Sequence, residues 1–455
     1  MKIIIIGGVA AGAKAAAKSR RLLDKDSSVK LFTDDTNVSY SSCGIPYYVE
    51  GNFENYQTLL VRSPEEFEAS GVNVYLRHKV LKILTESKQI LVYNSQSKRA
   101  FLEDYDKLII ATGASPILPN IKNIWYKNIF TVRKIEDAIN IKNKLKTSKR
   151  ALIIGGGYIG LEMLEALVKN NIFTTLVDKN ERIMSHFDSD ISDVILEQLN
   201  LISEGKFKII TNASVIEFKG DADGITGAIT DTCEEIDCDI AIICSGVTPN
   251  SQLAADCGIT IGETGAIYVD RHMETSVKDI YACGDCAEKN FIITNTPVWF
   301  PLGSTANKEG RCAAINACGG HDEFLGVLGS AVTRCLKLSI SMTGLTEQMA
   351  KSLNIDVITS TVTKYDKVGY MPDAKNITIK VVADARTGQL LGAQAIGAGD
   401  TDKRINTLTT AILAKLTASE FSKNDLTYAP PFSTTIDPLL NAAEIISDKI
   451  KNSGS

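Results

Sequence analysis

Two glycine-rich turns, each set between an apolar strand and a helix, and a C-terminal run of alternating strands predict an α/β fold. It should hold two dinucleotide-binding domains followed by an α+β domain. At 455 residues the chain is too long for one ordinary core, and two to four domains of roughly 100–200 residues each are expected. Hydrophobic residues at 44% and charged residues at 23% give the balance of a globular chain.

The first turn follows Lys2-Ile-Ile-Ile-Ile and reads Gly7-Gly8-Val9-Ala10-Ala11-Gly12, with an alanine-rich helix expected over 13–23. Glycine permits the sharp reversal, small residues let backbone approach a pyrophosphate, and the helix N-terminus offers amide donors and positive dipole. Val9 replaces the middle glycine of the usual spacing, and the expected acidic residue is displaced: Lys30-Leu31-Phe32 is followed by Thr33 and then Asp34. The second turn, Gly155-Gly156-Gly157-Tyr158-Ile159-Gly160, carries the full spacing and opens a helix over 161–169. The strand at 174–177 then ends in Asp178, whose carboxylate accepts from an adenosine ribose and repels a 2′-phosphate. NADH is expected over NADPH, with Lys179 softening the choice. Two short strands end in further glycine turns, Ala111-Thr112-Gly113 and Cys283-Gly284-Asp285.

A net charge of −5 gives no nucleic-acid footprint, and no apolar run reaches membrane length. The four isoleucines after Lys2 are too few for a signal-peptide core. Ten cysteines in so long a chain suggest a reducing, cytoplasmic setting, with most of them inert packing groups. None of the four histidines stands with Cys, Asp or Glu at a metal-ligand spacing, so no metal site is expected.

Cys43 stands apart, in Ser39-Tyr40-Ser41-Ser42-Cys43-Gly44-Ile45-Pro46-Tyr47-Tyr48. Serines before it and a proline after it predict a helix start whose dipole stabilises a thiolate. In the C-terminal region strands are expected at 368–371 and 376–383, with a hairpin turn at 384–388 leading to a strand at 390–395. A helix over 402–416 should bury Ile405, Leu408, Ile412 and Leu416. Residues 451–455 read as a frayed tail or a cloning remnant.

With two nucleotide turns, the Ala-Thr-Gly turn and the Gly284-Asp285 turn in this order, the whole chain resembles the pyridine nucleotide-disulfide oxidoreductases. The resemblance implies FAD and NADH or NADPH as cofactors. It divides the chain into two parts of an FAD domain (1–115 and 246–323), an NAD(P)H domain (116–245) and a C-terminal dimerisation domain (324–446). It carries cofactor contacts onto Gly7, Gly8, Ala11, Gly12, Thr33, Asp34, Ser42, Val80, Ala111, Thr112, Gly113, Gly246, Gly284, Asp285, Pro301, Leu302, Gly303 and Ala306, with Asp285 at the ribityl chain of the flavin. Nicotinamide nucleotide contacts fall on Gly155, Gly157, Tyr158, Ile159, Gly160 and Asp178. Cys283-Gly-Asp-Cys286 has the spacing of a thioredoxin-like pair, but the resemblance makes it part of the flavin turn.

The run from Cys43 to Tyr48 is similar to the coenzyme A-disulfide, persulfide and polysulfide reductases. Tyr48 stands where glutathione-reductase-like relatives have a second cysteine, leaving one redox sulfur. Ala10 stands where peroxidases and oxidases of the family place a histidine, whereas Ser42 matches the oxidases. The resemblance implies a homodimer in which Tyr428, and with it Tyr370, acts at Cys43 of the other subunit. Ser39, Arg20 and Arg21 would meet a small thiol or disulfide substrate such as coenzyme A. The alternatives are an NADH oxidase and a ferredoxin-reductase-type electron-transfer flavoprotein.

Overall fold

A computed structural model describes residues 1–453. It is a mixed α/β structure with two compact units: Met1–Leu118, Thr131–Asn143 and Gly246–Val327 form the first, and Pro119–Phe130, Lys144–Ser245 and the described residues from Leu328 onward the second.

The first unit is built on a parallel sheet in the order Ile280–Ala282, Lys107–Ile110, Lys2–Ile6, Ser28–Phe32, Asn73–Tyr75. The central strand is apolar on both faces, as a covered parallel strand must be. Ile3 and Ile5 pack with Ala13, Ala16 and Ala313 from helices Ala11–Leu22 and Gly303–Ala317. Ile4 and Ile6 face Val80, Ile90 and Val92 of the antiparallel sheet His78–Leu84, Gln89–Asn94, Arg99–Asp104. Each such fully buried aliphatic side chain stabilises the fold by roughly 1.5–3 kcal/mol.

In the second unit a parallel sheet runs Phe207–Ile210, Phe173–Val177, Arg150–Ile154, Ile240–Ile243. Helix Tyr158–Lys169 buries Leu161, Leu164 and Leu167. The C-terminal part is an antiparallel sheet in the order Ala331–Cys335, Leu338–Gly344, Leu390–Gly397, Asn376–Asp384, Val357–Tyr365, packed by helices Thr401–Leu413 and Pro438–Ser453.

Four details differ from the sequence reading. The first helix begins earlier, at Ala11, directly from the turn. Residues 368–371 form a turn: Met371 N donates back to Val368 O at 3.0 Å, Pro372 has no N–H to offer a ladder, and Asn376–Asp384 pairs instead with Val357–Tyr365. The helix expected to reach residue 416 stops at Leu413, because Lys415 takes a positive φ of 57° and Leu416 O accepts from Leu390 N at 2.9 Å. Lys451, Asn452 and Ser453 close the last helix, whereas Gly454 and Ser455 lie outside the described residues.

Candidate functional site

In the first unit the strand Lys2–Ile6 passes into the helix through Gly7, whose φ is +102°. A Cβ there would stand 2.1 Å from Ala111 O, and one on Gly12 would stand 1.9 Å from Gly7 O, so both close approaches require glycine. Ala10 is the helix N-cap and provides no side-chain cap, so the first-turn amides are left for an oxygen-rich ligand. Gly8 is buried and its carbonyl accepts from Ser39 N at 2.7 Å. These features fit the pyrophosphate of a dinucleotide.

At the end of the second strand, Thr33 is buried and its Oγ1 accepts from Asp35 N at 3.3 Å. Asp35 is the buried acid: it accepts from Tyr40 OH at 2.9 Å and from Asn37 N at 3.0 Å, which pins the loop leading to Cys43. Burial and the Asp35 charge push the Tyr40 phenol up. Asp34, the exposed one, is 3.9 Å from Lys134. Val80 contributes its side chain to the apolar core, which leaves only its backbone to meet a nucleotide.

The crossing at Ala111-Thr112-Gly113 is locked by a residue that the sequence reading missed. Asn250 Nδ2 donates to Thr112 O at 2.8 Å, Thr112 Oγ1 donates to Asn250 O at 2.7 Å, and Asn250 N donates to Gly113 O at 2.9 Å. Gly246 O accepts from Ile117 N at 2.9 Å at the same crossing. Asp285 pairs with Arg133 at 3.1 Å, a second contact with no local signal in the sequence. Beneath that turn lies a buried ion pair. Glu309 accepts from Gly284 N at 2.7 Å and stands 3.4 Å from Lys289, which donates to Gly284 O at 3.0 Å. Burial raises the Glu309 carboxyl to about 7.

Cys43 is exposed in a short 3-10 turn, Ser42–Gly44, and helix Ile45–Glu50 starts after it with Gly44 as N-cap and no serine cap. The start of a longer helix, with no signal near Cys43 in the sequence, also lies near the thiol. A Cβ built on Gly303, the first residue of helix Gly303–Ala317, would be 3.7 Å from Cys43 Sγ. Pro301, Leu302 and Gly303 are half-buried at this helix start, and Ala306 is buried one turn in. Tyr48, in the place of a second redox cysteine, is buried with Lys142 Nζ 4.1 Å from its ring centroid.

None of the ten cysteines forms a disulfide. Burial pushes the Cys244, Cys283, Cys286 and Cys335 thiols up, which keeps them protonated. Cys286 Sγ donates to Cys283 O at 3.4 Å rather than bonding to the Cys283 sulfur. Arg20 donates to the carbonyls of Leu23, Asp24 and Ser27, closing the C-terminus of the first helix, while Arg21 is exposed.

The second unit repeats the turn. Gly155 has φ +107°, and a Cβ there would meet Cys244 O at 2.4 Å. Around Gly157, the uncapped helix N-cap, a Cβ would meet nothing within 4 Å, leaving room for a phosphate. Asp178 holds the turn from below, accepting from Gly156 N at 2.6 Å and Asn180 N at 2.8 Å. Ile159 is exposed, and Tyr158 packs on His186 at 4.5 Å with its buried hydroxyl lacking a hydrogen-bond partner among the described residues. Glu162, one turn further, was not singled out from the sequence. Burial raises its carboxyl to about 7, against a 3.0 Å hydrogen bond from Thr333.

Tyr370 and Tyr428, both exposed, lie on loops anchored to the same helix, Thr401–Leu413. Arg404 donates to Asp366 O at 2.7 Å, at the base of the Tyr370 loop, and pairs at 3.1 Å with Asp437, which accepts from Ser433 Oγ at 2.9 Å beyond Tyr428.

Two dinucleotide-type sheets in one chain define an oxidoreductase that works with two nucleotide cofactors. The chain belongs to the pyridine nucleotide-disulphide oxidoreductase family, whose profile matches residues 1–310, with the dimerisation domain of that family matching 331–439. It is 36% identical to an NAD(P)H sulfur oxidoreductase (CoA-dependent) of Pyrococcus abyssi, over 98% of each chain. It is 31% identical to an NADH oxidase of Methanocaldococcus jannaschii, over 99% of this chain and 100% of the other. The structure of an NAD-dependent persulfide reductase from A. fulgidus superposes with a TM-score of 0.95 at 32% identity, covering 99% of this chain and 84% of that one. Among the described residues no helix is long and apolar enough to cross a membrane.

Proposed function

We propose that this chain uses NADH, or less readily NADPH, to reduce a coenzyme A disulfide, persulfide or polysulfide at Cys43, as a cytoplasmic homodimer. The observation that carries the proposal is the exposed Cys43 sulfur beside the start of helix Gly303–Ala317, with Tyr48 where a second redox cysteine would be. The positive end of a helix dipole favours an anionic sulfur. Such a sulfur attacks one sulfur of the substrate and displaces the other as a thiol, forming a mixed disulfide at Cys43.

When bound, FAD supplies the two-electron relay from the nicotinamide to that disulfide. Gly7, Gly8, Ala11 and Gly12 would hold its pyrophosphate, with Thr33, Asp34 and the Val80 backbone at the adenosine. Asp285, steadied by Arg133, would hold the ribityl chain. Ser42, Ala111, Thr112, Gly113, Gly246, Gly284, Pro301, Leu302, Gly303 and Ala306 would line the flavin. In the second unit Gly155, Gly157, Tyr158, Ile159 and Gly160 would hold the nicotinamide nucleotide, with Asp178 at its ribose. Ser39 and Arg21 would meet coenzyme A, with Arg20 bracing the helix end. The partner subunit's Tyr428, assisted by the partner's Tyr370, would protonate the leaving sulfur.

A second reading is an NADH oxidase, which Ser42 favours because the family's oxidases carry serine there. Two rates measured on the same purified protein decide between them: NADH turnover on coenzyme A disulfide and NADH-driven oxygen consumption. Faster disulfide turnover, with coenzyme A found on Cys43 by mass spectrometry before reduction, supports the proposal. Oxygen as the faster acceptor overturns it.

A further inference from the structure

The turn carrying His272 and the loop after helix Gly303–Ala317 are held against each other by the buried side chain of Asn316. Its Nδ2 donates to His272 O at 2.8 Å and to Asp322 O at 2.9 Å, and its Oδ1 accepts from Asp322 N at 2.9 Å. Phe324 N adds a bond to Arg271 O at 2.8 Å. Asp270 Oδ1 fixes the turn itself, accepting from the amides of His272 and Glu274 at 2.8 and 2.9 Å. Two segments distant in sequence thus keep a defined relative position. Together they present His272, His321 and Glu323, with one ligand atom of each within 4.8 Å of the others. The two imidazole rings are 4.7 Å apart. His321 and Glu323 are close in sequence, but only the fold adds His272, which is why the sequence alone predicts no metal site.

The tautomer of His272 also suits a metal. Its Nδ1 lies 3.0 Å from Asp322 O. A carbonyl can only accept, so Nδ1 carries the proton and Nε2 of the neutral ring keeps its lone pair. Backbone carbonyls orient metal-bound imidazoles in this way. Cys312 is buried beside this loop, and its thiol also points at Asp322 O, at 3.4 Å.

We infer that His272, His321 and Glu323 bind one divalent transition-metal ion of the zinc type, with a coordination position left for water. Two imidazoles and a carboxylate suit zinc, nickel or copper better than magnesium or calcium, which take oxygen ligands. Ligand atoms around a tetrahedral ion with bonds of about 2 Å stand roughly 3.3 Å apart. The trio must therefore close by about an ångström. The His321 and Glu323 side chains are 79% and 43% exposed and can turn without disturbing the core. The ion would clip the loop to the turn, a stabilising role separate from the sulfur chemistry at Cys43.

The test is calorimetric titration of the chelator-stripped, FAD-loaded protein with ZnCl2, in a Cys43→Ser/Cys233→Ser background that removes the two exposed thiols. One saturable site per chain is expected. His272→Ala, His321→Ala and the double variant should each weaken it by about tenfold or more, the range in which perturbed metal sites lose affinity. Zinc should also raise the thermal midpoint reversibly with chelator, except in the double variant. His321 is exposed, so its variant folds even if His272→Ala does not. Unchanged affinity in His321→Ala, no saturable zinc binding in the micromolar range, or equally tight binding of calcium overturns the site.

Discussion

The proposed chemistry rests on the surroundings of one sulfur atom. Cys233 is also exposed, but it sits in a hairpin turn with φ +62°, whereas the Cys43 sulfur lies beside the first residue of helix Gly303–Ala317. Cys43→Ser should abolish turnover on coenzyme A disulfide while NADH still bleaches the flavin absorbance in anaerobic stopped-flow. A serine variant that reduces the disulfide at the unaltered rate would show that the sulfur is not the acceptor. Asp178 has a double part, holding Gly156 and Asn180 while facing the expected ribose site. Asp178→Ala should therefore raise the KM for NADH by roughly ten- to hundredfold, the 1.5–3 kcal/mol of hydrogen bonds to a charged group, and narrow the gap to NADPH. Steady-state constants that favour NADPH in the unmutated protein would contradict this. Cys43, Asp178 and both glycine turns could be proposed from the sequence because their signals are local. Arg133, Asn250 and Glu309 were not, since each acquires meaning only from a partner far along the chain.

At the scale of elements, the two nucleotide turns belong to separate units and can be damaged separately. Gly155→Ala puts a Cβ 2.4 Å from Cys244 O at a positive φ. The left-handed conformation alone costs about 1–2 kcal/mol, and the clash adds to it. The variant should keep its FAD, read from the absorption spectrum, yet saturate poorly with NADH; loss of FAD with nicotinamide binding intact would reverse the assignment of the two turns. Helix Tyr158–Lys169 also gives a pH signature through Glu162. Burial raises that carboxyl from 4.5 to about 7, so the folded state holds its proton more tightly than the unfolded chain does. The stability it contributes is complete below about pH 4.5 and is lost as pH rises through about 7. Glu162→Gln removes the titration, so the unmutated protein should lose stability relative to this variant across that window, by at most about 3 kcal/mol. Parallel pH profiles of the two thermal midpoints would contradict it. The misread strand at 368–371 belongs to this scale: its β-branched and aromatic residues look like a strand, but pairing goes to Val357–Tyr365.

At the scale of the whole molecule, Cys43 and Tyr428 sit in different units, both exposed. A lone cysteine needs a proton donor for its leaving sulfur, and the dimer is expected to bring the partner's Tyr428 to it. Tyr428→Phe should slow disulfide turnover by roughly 10²–10⁴-fold, as for a lost general acid. Mixing Cys43→Ser and Tyr428→Phe subunits should restore activity, because one site of each heterodimer pairs an intact Cys43 with an intact Tyr428. Verified subunit exchange without recovered activity, or a fully active monomer, would rule out the shared site.

The sequence by itself determined the fold class and picked out the two glycine turns proposed for the nucleotides and the lone cysteine proposed for the redox step. All three are written in short-range patterns: apolar strands on both sides of the sheet, glycines where a Cβ would strike a carbonyl, and a cysteine without a second one nearby. Tertiary structure alone decided which helix start faces the Cys43 sulfur, which arginine braces Asp285, and that His272 joins His321 and Glu323. Those arrangements depend on chain crossings that bring distant residues within hydrogen-bonding or ligand distance, and nothing in the local order of residues specifies them.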